Sequence, residues 1–210
     1  MEHNTFTDRI IAEVQAQQQQ LTAALDGLDE SGLTWQPASG KWSVIECLEH
    51  LNISYRWYLP RMEAAIEKGK AAGHTPNTDY RRGFWGRRMP KMFRPKAQAE
   101  AAESGTQRFK IPWKMKTMKR FQPQVAPGQS EKVIAEFRAH LETVKRLAQA
   151  SQAVDLGRVR VISAIGSLLK FKLGDAFEFV NAHTDRHLLQ AARVRTAMAQ
   201  TSAQTMVGNA

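Results

Sequence analysis

From Asp175 to Met198, the residues Val180, His183, His187, Ala191, Val194 and Met198 recur at steps of three and four. That period describes one face of a long helix, apolar except at its two histidines. Imidazoles at i and i+4 lie one above the other on such a face, close enough to clamp a single metal ion. Two unpartnered imidazoles on a core-facing stripe would cost free energy. The fold must therefore supply either hydrogen-bond partners, leaving two satisfied buried side chains, or a metal and a third ligand.

Three further segments share the helical period. The first, Thr5 to Leu28, places Phe6, Ile10, Val14, Leu21, Leu25 and Leu28 on one face and a run of Gln on the other. Gly27 and Asp29-Glu30-Ser31-Gly32 end it, and a connector follows from Leu33 to Gly40. Ser43 with Glu46 forms a capping box that opens the second helix, with Ile45, Leu48, Leu51, Tyr55, Leu59, Met62 and Ile66 inward. Pro60 lies inside this pattern and predicts a kink near Arg56. Ser130 opens the third helix, carrying Val133, Phe137, Leu141, Val144 and Leu147, and Asp175 with Glu178 is expected to cap the fourth. Between the last two, Asp155-Leu156-Gly157 loops and Val159 to Ile162 is briefly extended. The expectation is an all-α protein: a four-helix bundle forming one domain over residues 1–200, with a long insertion at 73–127 and a frayed tail at 201–210.

The formal net charge is +10, and the excess is local. Residues 73–127 hold 13 Lys or Arg against Asp79, Glu100 and Glu103, whereas the remainder is balanced at 17 of each sign. The insertion interleaves cations with aromatics in Arg81-Arg82-Gly83-Phe84-Trp85-Gly86-Arg87-Arg88 and Arg108-Phe109-Lys110-Ile111-Pro112-Trp113-Lys114, with a short helix expected around 97–104. Such a stretch suits a solvated connection, a lid over a site, or a surface for nucleic acid or anionic membrane. The lone Cys47 excludes an internal disulfide, no signal-peptide pattern follows Met1, and no apolar run reaches membrane-spanning length. A cytoplasmic location is the resulting expectation.

His50 is the candidate third ligand. It lies about eight residues into its helix, and His183 and His187 about eight to twelve into theirs, so at ~1.5 Å per residue all three rings share a level if the two helices run parallel. Three neutral imidazoles leave a divalent ion its full charge and at least one open position, which is the arrangement of a catalytic site; a structural zinc would be closed by four ligands. Zinc, nickel, iron(II) or cobalt all suit nitrogen donors. Glu46, one turn before His50, is either an outer acceptor or general base, or only the capping glutamate. Gln190 can reach a bound ligand or merely pack, and Arg186 can bind an anionic group or stay solvated. Cys47 is either reactive or core packing. His3, His74 and His140 read as surface or boundary residues.

The segment from Leu33-Thr34-Trp35-Gln36-Pro37 through Lys41-Trp42-Ser43-Val44-Ile45-Glu46-Cys47-Leu48-Glu49-His50-Leu51 resembles the first signature of the DinB-like (DinB/YfiT) superfamily. The stretch from Leu173-Gly174-Asp175 through Ala182-His183-Thr184-Asp185-Arg186-His187-Leu188-Leu189-Gln190 resembles the second, and Lys119-Arg120-Phe121-Gln122-Pro123 is similar to a connector of one branch. The resemblance implies a four-helix bundle of unusual connectivity with helices two and four adjacent and parallel, and a divalent metal on His50, His183 and His187. It further implies homodimers and metal-dependent enzymes, either hydrolases or transferases and isomerases that use a low-molecular-weight thiol on a small-molecule substrate. Two other readings stand beside it: a binding module acting through the basic insertion, and a non-catalytic structural relative.

Overall fold

The structure is a computed structural model and describes residues 3–77, 80–84, 87, 117–164 and 166–208. Its elements are α1 (His3–Leu25), α2 (Glu30–Thr34), α3 (Val44–Ala71), α4 (Ser130–Ala150), β1 (Arg160–Ser163), β2 (Gly166–Lys172) and α5 (Leu173–Gly208). Short 3-10 turns occupy Lys119–Phe121 and Ser151–Ala153. The four long helices are the four that the apolar period predicts. Their stripes form one core: Phe6, Ile10 and Val14 of α1, Ile45, Leu48 and Met62 of α3, Phe137 and Leu141 of α4, and Val180 and Ala191 of α5 are all buried.

Local signals explain most of the ends. Gly27, at φ 69°, turns the chain just beyond α1, a conformation that glycine reaches without a steric penalty. Ser43 accepts from the Glu46 backbone N–H while the Glu46 carboxylate accepts from the Ser43 N–H, so both halves of the capping box form. α3 then runs unbroken through Pro60. Three expectations change. The connector after α1 contains the short helix α2, whose N-cap Asp29 accepts from Gly32 N. The extended stretch is one arm of an antiparallel hairpin, with Val161 opposite Phe171. The final helix continues to Gly208, well past the tail boundary placed at 201.

The helix directions follow from which residues meet. Arg9 pairs with Glu178 and Gln17 with Asp185, so α1 and α5 are parallel. Thr7 reaches Ala148 whereas Gln18 reaches Glu142, so α1 and α4 are antiparallel. Asn52 donates to the Val133 carbonyl, Arg56 binds Glu136 and Glu63 binds Arg146, so α3 and α4 are parallel. His50 sits against His187, Tyr55 against Thr184 and Tyr58 against Phe179, so α3 and α5 are antiparallel. The bundle is up, down, down, up, with α1 and α3 each packed on both α4 and α5. Helices two and four of the sequence reading, α3 and α5, are adjacent as expected but not parallel.

This arrangement requires the long insertion. Two parallel neighbours in sequence leave the chain at the wrong end, and the 28 residues of α3 span ~42 Å that must be retraced before α4 begins. The described parts of that return path show its route. Tyr80 packs on Phe6 and donates to Asp175 Oδ1, and Arg82 reaches Glu178. Farther along, Phe121 arrives beside His50. The Asp175 and Glu178 expected to cap α5 instead anchor this crossover. Most of the basic and aromatic insertion, including Arg88 and the stretch from 89 to 116 with its expected short helix, lies outside the described residues. Among the described residues, no helix is long and apolar enough to cross a membrane.

Candidate metal centre

His50 projects from the second turn of α3, and His183 and His187 from successive turns of α5. All three are buried, at 5, 9 and 7% exposure. One donor nitrogen from each lies within 4.8 Å of the others. The rings meet edge to face, with centroids 5.0 Å apart for His50–His183, 4.5 Å for His50–His187 and 4.7 Å for His183–His187.

The outer nitrogens are held. His50 Nδ1 lies 2.7 Å from the Phe121 carbonyl oxygen. A carbonyl only accepts, so Nδ1 carries the proton and the Nε2 lone pair faces inward. His187 Nδ1 donates to Gln190 Oε1 at 3.0 Å, which gives that ring the same tautomer. Outer partners of this kind orient metal-ligating histidines and raise their basicity.

His50 Nε2 is 3.1 Å from His183 Nε2. Nitrogens each ~2.1 Å from one ion stand ~3.0–3.4 Å apart at angles of 90–109°, so the pair has the spacing of a shared ion. Burial lowers the pKa of all three rings, and the charge of half-buried Arg186 lowers each further. For His183 and His187 the neighbouring imidazoles add to the effect. The rings are therefore neutral at pH 7, the form that binds metal. The donor set fits a divalent ion.

Aromatic walls flank the cluster. Trp42 lies over His50 and His187 with centroids 4.8 and 5.7 Å away. Phe179 stacks on His183 at 5.7 Å with a 12° interplanar angle. Sequence reasoning gave neither residue a role. Phe179 had a detectable signal, being four residues before His183 on the same helix face. The Phe121 carbonyl had none, because a backbone oxygen leaves no trace in residue identity.

The remaining candidates separate. Gln190 holds His187, and Arg186 places positive charge near the rings. The Glu46 carboxylate binds Ser43 N and Gln36 Nε2, both at 2.8 Å, so its capping role is the one seen. Cys47 is fully buried, and burial pushes its thiol far above the ordinary range, which makes it core packing. His140 packs on Tyr55 and lies beside Glu136, away from the cluster.

A family model described as the DinB superfamily matches residues 13–191. Comparison with curated proteins and with solved structures gave no match.

Proposed function

The chain belongs to the DinB superfamily, and on that premise we propose that it is a metal-dependent enzyme. In this reading His50, His183 and His187 hold one divalent ion, and the substrate is a small molecule attacked by a low-molecular-weight thiol or by water. The observation that carries it is the pair of Nε2 atoms 3.1 Å apart, with His50 Nδ1 already committed to a carbonyl. A lone pair facing a ring nitrogen at that distance requires a proton or a cation between them. Three imidazoles add no negative charge, so a bound ion would act as a full-strength Lewis acid, lowering the pKa of a thiol or a water at its open position.

The chain's own groups supply the rest. The Phe121 carbonyl and Gln190 keep two imidazoles in one tautomer and orientation. Trp42 and Phe179 exclude water from the rings they cover. Arg186 favours an anionic reactant, a thiolate or a carboxylate-bearing substrate, in the same region. Zinc, nickel and iron(II) are the ions best matched to this donor set.

Elemental analysis of purified protein tests the metal, with stoichiometric divalent metal expected in the wild type and loss in His187→Ala. Wild-type stoichiometry in His187→Ala and in His50→Ala would remove the assignment. Metal-loaded protein assayed with thiols and small electrophiles tests the reaction. Equal product formation in loaded and chelated samples would remove the enzymatic reading.

A further inference from the structure

The turn Lys119–Phe121 returns from the crossover and touches both α3 and the hairpin through one side chain. The Arg120 guanidinium lies 5.0 Å from the Trp57 ring centroid and 5.2 Å from that of Phe121, and it donates to the Ala164 carbonyl at the hairpin tip. Trp57 also carries Arg61 at 3.8 Å, and its edge meets Phe121 at 6.4 Å. The hairpin tip is fixed in turn, since Ala164 N donates to Tyr58 Oη at 3.0 Å. Arg120 thus ties α3, the crossover and the hairpin together one residue before the carbonyl that binds His50 Nδ1.

We propose that Arg120 is a positioning residue: by clamping the turn against Trp57 and Ala164, it presents the Phe121 carbonyl to His50 and holds that imidazole in the tautomer whose Nε2 lone pair faces His183. The physical argument is one of alternatives. Among the described residues, the Phe121 carbonyl is the one hydrogen-bond partner of His50 Nδ1, and a free imidazole exchanges between its two N–H tautomers. A carbonyl on an untethered turn would be present only part of the time. A cation over an aromatic face, joined to a charge-assisted hydrogen bond, holds such a turn without burying the charge. The arginine itself is exposed, so its removal leaves the core intact.

This inference rests on the metal-centre reading for its consequence, but not for its test. The tautomer of His50 is read directly in metal-free protein by long-range proton–nitrogen NMR correlations. Wild type is expected to show His50 protonated at Nδ1. Arg120→Ala is expected to show mixed tautomers at His50 and ~10–100-fold weaker metal binding, the usual consequence of losing an outer partner. Arg120→Lys, which keeps a cation over Trp57 and a donor for Ala164, is expected to restore the single tautomer. A His50 fully protonated at Nδ1 in Arg120→Ala would overturn the proposal. So would a mixed tautomer that Arg120→Lys leaves unrestored in a protein of wild-type thermal stability. A wild type with the expected tautomer and no affinity for divalent metal would instead refute the metal centre and leave the positioning role standing.

Discussion

His50 Nε2 faces His183 Nε2 at 3.1 Å across two helices that run in opposite directions. The contact joins the second turn of α3 to the third turn of α5, and the rest of α3 descends past the start of α5. There, a Cβ added to Gly69 would meet Val159 Cγ2 at 2.6 Å, so the helix packs directly on the base of the hairpin. The histidine cluster and the hairpin are thus positioned by one helix pair.

Gln190 is the acceptor for His187 Nδ1. Gln190→Leu should leave the fold unchanged, since Gln190 is only half-buried, yet weaken metal binding by ~10–100-fold as the ring loses its fixed tautomer. Calorimetric titration of chelated protein with zinc checks this. An unchanged affinity would mean that packing alone orients His187.

The metal-free protein should lose stability in acid through its histidines. His183 and His187 are held well below the ordinary histidine range, chiefly by burial, so below about pH 6.5 the unfolded chain takes up protons that the folded chain refuses. The stability is fully present above that unfolded pKa and is lost as pH falls toward the folded values. Urea midpoints of chelated protein should therefore fall between pH 8 and 5.5, and the fall should be shallower in the His183→Ala, His187→Ala double variant.

Glu178 is fully buried and is bound by two arginines, Arg9 from α1 and Arg82 from the crossover. Either arginine alone can neutralise the carboxylate, so Arg9→Ala and Arg82→Ala should each cost little. Removing both should cost more than the sum of the single changes, because the two guanidinium groups share the Glu178 Oε1 oxygen and each compensates for the loss of the other. A double-mutant cycle by urea denaturation measures the coupling, and additive effects would contradict it.

Gly174 opens α5 directly beneath the Tyr80 ring, where a Cβ would lie 2.4 Å from the ring carbon Cζ. Gly174→Ala should push Tyr80 from its hydrogen bond with Asp175 and cost ~1–3 kcal/mol as an overpacking change. Thermal unfolding tests the loss. A crystal structure of the variant with Tyr80 in place would show that the crossover yields elsewhere.

The four stripes were legible because burial and helical period coincide in Phe6 to Leu21, Ile45 to Ile66, Val133 to Leu147 and Val180 to Val194. The Ser43–Glu46 box was legible because both partners lie within one turn. The second hairpin strand leaves only a weak mark in the sequence, in Lys170-Phe171-Lys172, which alternates with Phe171 buried. Its short alternation is diluted by Gly166 and Ser167. Asp175 and Glu178 have the spacing of a cap, but their carboxylates serve Tyr80, Gly83, Arg9 and Arg82, partners far away in the chain. A spacing rule cannot see such competition.

By itself the sequence determined four amphipathic helices, the helix faces on which His50, His183 and His187 lie, and the residues that carry the superfamily's signatures. These are local properties, set by 3.6 residues per turn and by side-chain chemistry. Only the tertiary structure decided that α3 and α5 oppose each other and that the insertion is the return path between two parallel helices. It alone brought the Phe121 carbonyl and Trp42 to the histidines. Depth from a helix start is the same number whichever way the neighbour runs. Which residues share a level depends on how far one helix overhangs the other, and here that overhang is set by packing of α3 on the hairpin.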